Sequence, residues 1–176
     1  MKRPALKIKR ISSLIILFWL LGLIWIRCSK NDDQGLIREN LSLAIKAAEK
    51  KDRAKVLQVL DPDYLDFENR DVKATAELLD YYFKHYHGIV IHLLEAEIIV
   101  NQDTAEVRAD ILFSSGPLET LRKSLGLIGS FYRFEFRMSR GAKGWKIKQA
   151  KWHEVEENSL LPGSRMILKK LFPDLF

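Results

Sequence analysis

The chain has 176 residues, 29 Lys+Arg against 23 Asp+Glu for a formal charge of +6, and one cysteine, Cys28. A lone cysteine excludes an intrachain disulfide and a cysteine zinc cluster. The basic excess is local: five bases (Lys2, Arg3, Lys7, Lys9, Arg10) precede Ile11, and from Arg27 onward 24 bases nearly balance 23 acids. The body of the chain therefore lacks the basic surplus of a nucleic-acid binder, and no nucleic-acid motif is present.

The five bases are followed by an uncharged run from Ile11 to Ile26, ISSLIILFWLLGLIWI. As a helix it would rise roughly 24 Å, near the lower limit for crossing a bilayer. Positive charge on its N-terminal side predicts a single-pass inner (plasma) membrane protein, with residues 1–10 as a cytoplasmic tail and 11–27 as the anchor. The rest would be periplasmic or extracellular. A cleavable signal shares the charge-then-apolar pattern, but Trp25, Ile26 and Arg27 offer no small-x-small cleavage pair, so an uncleaved anchor is expected. A lipid-modified Cys28 would want Leu at position 25 and a small residue at 27, where Trp25 and Arg27 stand.

Residues 28–35 read as a linker, with Asp32 or Asp33 suited to cap a helix from about Leu36. About 145 residues beyond the anchor suffice for one domain. Ile37, Leu41, Ala44, Ile45 and Ala48 recur at helical spacing. Asp52 can cap a second, short helix carrying Val56, Leu57 and Leu60, which Asp61-Pro62-Asp63 should end. A third helix is expected from Asp71 through Ala74, Leu78, Leu79, Tyr82 and Phe83, stopping before Gly88. The period then becomes alternating, and strands are expected over 89–100, 104–113, 131–139 and 145–153, forming an antiparallel sheet with one wet face. Gly141-Ala142-Lys143-Gly144 is the last turn, and 114–130 is a longer excursion. Residues 156–176 form an amphipathic, basic extension that would pack on the domain or on the membrane.

Residues 28–119 hold 18 acids and 11 bases, and residues 120–176 hold 12 bases and 5 acids. The basic half is suited to anionic lipid or an acidic partner, though opposite charges on neighbouring strands favour the two halves facing each other.

The segments DRAKVLQVLDPDYLDF (Asp52–Phe67) and FYRFEFRMSRGAKGWKIKQAKW (Phe131–Trp152), with Gly144, Trp145, Ile147 and Trp152 closing the last hairpin, resemble the nuclear-transport-factor-2-like, or cystatin-like cone, superfamily. The resemblance implies an α+β domain over about residues 36–155, three helices packed on a bent antiparallel sheet behind the anchor. Such cones host enzymes, ligand pockets and assembly modules alike. In placing a cone outside a single N-terminal anchor, the chain also resembles the inner-membrane assembly factor of type IV secretion systems.

Enzymes of this superfamily, such as ketosteroid isomerase, work with a base inside the cone. Alternation here puts Glu106, Asp110 and Glu135 on the polar face, away from any pocket, unless a bulge between Ile147 and Ala150 shifts parity. General acid–base work needs a group within hydrogen-bond reach of substrate. The expectation is therefore a non-catalytic binding or assembly module. It would meet a protein partner or a second copy through the sheet, with Arg133 and Arg137 on the outward face as the contact candidates. The alternative is a small apolar-ligand carrier or pocket enzyme using His92, placed on the face of Val90, Leu94, Ala96 and Ile98, together with Tyr132. No cofactor is expected. His85, His87, His92 and His153 match no zinc spacing, and Asp61, Asp63 and Asp66 lack the glycine and terminal glutamate of a calcium loop.

Overall fold

The computed structural model describes residues 33–116 and 129–173. The expected basic tail and anchor, and most of the 114–130 excursion, lie outside the described residues. Among the described residues no helix is long and apolar enough to cross a membrane.

Helix α1 occupies residues 33–49, so residues 33–35 are helical rather than linker. Asp33 ties down this first turn from inside it: its carboxylate accepts from Trp145 Nε1 at 3.3 Å and pairs with Arg140. Asp52 caps α2 (Arg53–Leu57), its side chain accepting from the Lys55 amide. Asp71 caps α3 (Val72–His85) through the Ala74 amide at 2.8 Å. Both caps satisfy amide donors that a helix start leaves orphaned.

Between α2 and α3 the chain does not turn away at Asp61-Pro62-Asp63. It forms strand β1 (Leu60–Asp66), parallel to the last strand, with Leu60 opposite Ile147 and Asp66 opposite Ala150. An edge strand with a break in register between Leu60 and Leu65 tolerates a proline that an interior strand would not. The sheet is therefore mixed, not purely antiparallel, and runs β1-β5-β4-β3-β2. The other four strands are β2 (Ile89–Asn101), β3 (Thr104–Ser115), β4 (Ser130–Gly141) and β5 (Gly144–Val155). They pair as successive antiparallel hairpins. Gly144 opens β5 with φ +92°, in the left-handed region that favours glycine.

Two bulges set the side-chain faces. In β2 the register slips between Leu93 and Glu95, so Ile89, Ile91 and Leu93 share the concave face with Ala96, Ile98 and Val100 although their parity differs. In β5 one extra residue at Lys148 does the same for Trp145 and Ile147 against Ala150 and Trp152. Each bulge bends its strand and helps curl the sheet around α1 and α3.

The convex face is not wet throughout. After a 3-10 turn (Glu157–Ser159), helix α4 (Pro162–Leu171) lies back across it, burying Leu160 and Leu168 against Leu94 and Leu112. No side chain of its own caps α4. The sheet supplies the acceptors instead: Asp110 takes the Leu161 amide at 2.6 Å and the Ser164 hydroxyl at 3.1 Å, while Glu95 takes the Ser164 amide at 3.0 Å. Two carboxylates at a helix N-terminus also suit its dipole. At position 163 a Cβ would fall 2.5 Å from a Glu95 carboxylate oxygen, so a larger residue there would have to displace the carboxylate that accepts from the Ser164 amide.

Candidate ligand-binding cavity

The cone is filled at one end and hollow at the other. Around the start of α1, Ile37, Leu41, Ile98, Val107, Met138 and Trp145 pack into a closed core. Towards the C-terminal ends of α1 and α3 the same interior opens into a cavity of about 460 Å³. This lies within the usual range for small-molecule sites. One wall is aliphatic, built from Ala44, Ile45 and Ala48 of α1 and Leu78 and Leu79 of α3. The opposite wall is aromatic. Phe134 stacks on Phe136 with centroids 5.7 Å apart and planes at 26°, and on Trp152 at 5.8 Å and 24°. Alternation along β4 presents Tyr132, Phe134 and Phe136 on one face, which is why three rings reach the same wall.

A line of rings runs along one side: Tyr82 on Tyr86 at 5.8 Å, Tyr86 against Phe113 at 5.7 Å, and Phe113 against Tyr132 at 6.3 Å. Tyr82 is 41% exposed, so the cavity meets solvent beside the C-terminal half of α3.

The side-chain polar groups on the described lining are the hydroxyls of Tyr64, Thr75, Tyr82, Tyr86 and Tyr132 and the indole N–H of Trp152. Burial pushes the Tyr64 phenol up to about 12, helped by the neighbouring Asp66 carboxylate. Asp66 itself is buried, which would raise its pKa. Its bonds from the Arg70 amide and guanidinium and the Glu68 amide outweigh that and hold it low. The Tyr132 phenol is likewise raised, first by burial and then by Glu154.

Of the expected site residues, Tyr132 lines the cavity and His92 does not. The bulge after Leu93 explains the error. Before it, odd-numbered residues of β2 face inward, so His92 points to the convex side beside Leu94. The two residues sit on neighbouring strand pairs and opposite faces, and the structure does not bring them together. The outward pair divides too. Arg133 is not a free contact group: it forms a two-point ion pair with the fully buried Asp110 at 2.7 and 3.0 Å and donates to the Ser159 carbonyl at 2.8 Å. Arg137 is exposed, reaching Gln149 at 3.4 Å. The acidic and basic halves do face each other, as Glu106, Arg108 and Asp110 of β3 lie opposite Arg137, Glu135 and Arg133 of β4.

Nothing in the sequence pattern singles out Thr75, Tyr64 and Tyr86. The stripe on α3 reads as core, and β1, which carries Tyr64, reads as a turn. Among the described residues no group of three or more His, Cys, Asp or Glu is placed to hold a metal ion.

No protein-family model and no curated protein matches the chain. Solved structures do. An NTF2-like protein with a cystatin-like fold from Novosphingobium aromaticivorans superposes with a TM-score of 0.64 at 18% identity, over 84% of this chain and 96% of that one. The chain has the cystatin-like, NTF2-like fold. A nuclear transport factor 2 (NTF2-like) superfamily protein from Salmonella enterica matches with a TM-score of 0.61 at 14% identity, over 76% of this chain and 98% of that one. Bd1075 of Bdellovibrio bacteriovorus matches with a TM-score of 0.57 at 16% identity, over 70% of this chain but only 41% of that longer one.

Proposed function

We propose that this domain is a non-catalytic receptor or carrier for a small apolar molecule, held on the exported side of a membrane by the apolar run at 11–27. The observation that carries the binding reading is the cavity of about 460 Å³ whose lining is apolar and aromatic, with hydroxyls and the Trp152 indole N–H as its side-chain polar groups. A purely structural core would be packed to the density seen around Trp145, since voids forfeit dispersion contacts on every lining atom. Keeping a void of this size is costly unless something occupies it. Acid–base catalysis fits less well than binding, because a phenol raised by burial is a poor base at neutral pH.

Binding is tested with an apolar fluorescent probe such as Nile red. The native protein should bind it with a blue-shifted emission. Ala48→Phe, which places a ring into the void from the α1 wall, should abolish binding while leaving the thermal midpoint unchanged or higher. Probe binding that survives Ala48→Phe would place the probe elsewhere and remove the support for the cavity.

The anchored, exported location is supported by the five bases ahead of Ile11 and the single base, Arg27, just beyond the run. A phosphatase reporter fused after Phe176 should be active only outside the cytoplasm. A cytoplasmic reporter at that position should be inactive, and the reverse pattern would overturn the topology.

A further inference from the structure

Helix α1 carries apolar side chains on both sides. Its inner residues, Ile37, Leu41, Ala44 and Ala48, pack into the core or line the cavity, as a helix covering a sheet requires. On the outside, Leu36 and Leu43 stand one heptad apart at 45% and 54% exposed. They belong to a second stripe, Leu36, Glu39, Leu43, Lys46 and Lys50, which recurs at intervals of three and four and is exposed along its whole length.

Cations outnumber acids on this side of the helix. Lys46, Lys50 and the exposed Arg38 stand against one exposed acid, Glu39, because the Glu49 carboxylate is taken up by the Ile91 amide at 3.0 Å. The cations of α2 do not join them, since Arg53 pairs with Asp80 and Lys55 with Asp52. Leucines set among lysines, whose stems can lie along an apolar surface while the amines reach outward, suit a helix lying in a membrane interface.

The position of α1 in the chain supplies that surface. Five residues separate Arg27, at the end of the apolar run, from Asp33, and the chain between those two spans at most about 22 Å. Helix α1 is itself about 25 Å long over residues 33–49. Its first turn is therefore held close to the bilayer, and α1 is the element best placed to lie along it. Met166, Ile167 and Leu171 of α4 are exposed as well, but α4 lies on the convex side, across the sheet from α1.

Resting on the anchored reading above, we propose that α1 lies along the bilayer surface on this outer stripe, with Leu36 and Leu43 set among the lipid headgroups and Lys46 and Lys50 paired with the phosphates of anionic lipid. The inner side of the same helix is the aliphatic wall of the cavity, Ala44, Ile45 and Ala48. Docking thus brings the cavity to within one helix diameter, about 10 Å, of the lipid. That position suits exchange of an apolar molecule with the bilayer.

The test uses the full chain in nanodiscs with and without phosphatidylglycerol. An environment-sensitive dye is attached at Leu43→Cys or at Met166→Cys, each combined with Cys28→Ser, and spin-labelled lipid quenches a dye that touches the bilayer. The dye at position 43 should be quenched in anionic discs, and the dye at 166 should not. Neutral lipid or high salt should release it. Lys46→Gln and Lys50→Gln should each lower the ratio of docked to free dye by about fivefold, with thermal midpoints checking that the variants are folded. A dye at 43 that stays open to aqueous iodide in anionic discs, or a dye at 166 that is quenched as strongly, overturns the docking of α1 while leaving the anchor in place. A dye at 43 that is shielded from iodide yet not quenched by lipid means that protein covers the stripe, and this overturns it too. Quenching that ignores lipid charge and survives both lysine substitutions overturns the pairing with anionic lipid. Failure of the chain to co-purify with the discs overturns the anchored reading itself.

Discussion

Replacing Asp110 with alanine is expected to destabilise the fold by about 3–5 kcal/mol, the usual cost of removing one partner from a buried ion pair. The carboxylate is fully buried and holds four donors at once: Arg133 twice, the Leu161 amide and the Ser164 hydroxyl. Alanine would leave the guanidinium unpaired under α4 and free the helix start. Urea unfolding should show the loss. Hydrogen exchange should accelerate over Pro162–Leu171 well before it does in β3 and β4, because α4 has no cap of its own. Substituting both partners, as Asp110→Leu with Arg133→Met, should recover part of the stability, since an apolar pair carries no orphaned charge.

The same carboxylate gives the acid limb its sign. Burial alone would push the Asp110 pKa up. The Arg133 guanidinium, the Leu161 amide and the Ser164 hydroxyl together outweigh burial and hold it below the ordinary value of 3.8. A depressed folded pKa means that the unfolded chain takes up its proton first as pH falls. The contribution is thus complete above about pH 4 and is lost as pH falls through the folded value. Stability of the native protein should drop along that limb, and Asp110→Ala should show a flatter one. An Asp110→Ala variant with unchanged midpoint and unchanged acid limb would show that α4 is held by Leu160 and Leu168 alone.

What could be read in the sequence follows period and charge. Alternation in β3 and β4 is unbroken, so Ala105 to Phe113 and Tyr132 to Met138 fall on the concave face as their spacing dictates. Asp71 and Asp52 signal their helix starts, and the opposed charges of β3 and β4 meet in register. What could not be read depends on partners distant in sequence. A bulge is one residue of slippage against another strand, and nothing in the run His92-Leu93-Leu94-Glu95-Ala96 marks it, so simple alternation puts His92 on the wrong face. Strand β1 exists because the Ile147 amide bonds the Val59 carbonyl and the Phe67 amide bonds that of Ala150. Tertiary pairing there overrides the turn preference of Asp61-Pro62-Asp63. The amphipathic spacing of α4 is legible, but its resting place is set by Asp110 and Glu95, which read as ordinary surface acids until a helix covers them. The cavity is the least legible feature, because a stripe of Leu78, Leu79 and Tyr82 has the same pattern whether it packs against side chains or faces a void.

Trp145→Ala should be the most damaging of the tryptophan substitutions, at about 3–5 kcal/mol. The ring is 2% exposed and closes the filled end of the cone. Its Nε1–H donates to Asp33, the Arg140 guanidinium lies 5.0 Å from its centroid, and Asn40 donates to its backbone carbonyl at 2.8 Å. Loss of the ring therefore opens a large hole and also leaves the Asp33–Arg140 pair, which fixes the first turn of α1, without its apolar support. Trp152 differs. It is half-buried, forms the cavity wall with Phe134, and is held from outside by Phe67 at 4.8 Å and Arg70 at 5.3 Å. It lines the cavity and is only half-buried, so Trp152→Ala removes fewer packed contacts. The expected order is a large drop in the denaturation midpoint for Trp145→Ala with any residual probe binding lost through unfolding. For Trp152→Ala a smaller drop is expected, with probe binding lost in a protein that still folds. Trp145→Phe should fall between wild type and alanine, keeping ring bulk while giving up the bond to Asp33. Equal midpoints for the two alanine variants would mean that the filled and hollow ends of the cone contribute alike, and the cavity would then have to be occupied by protein.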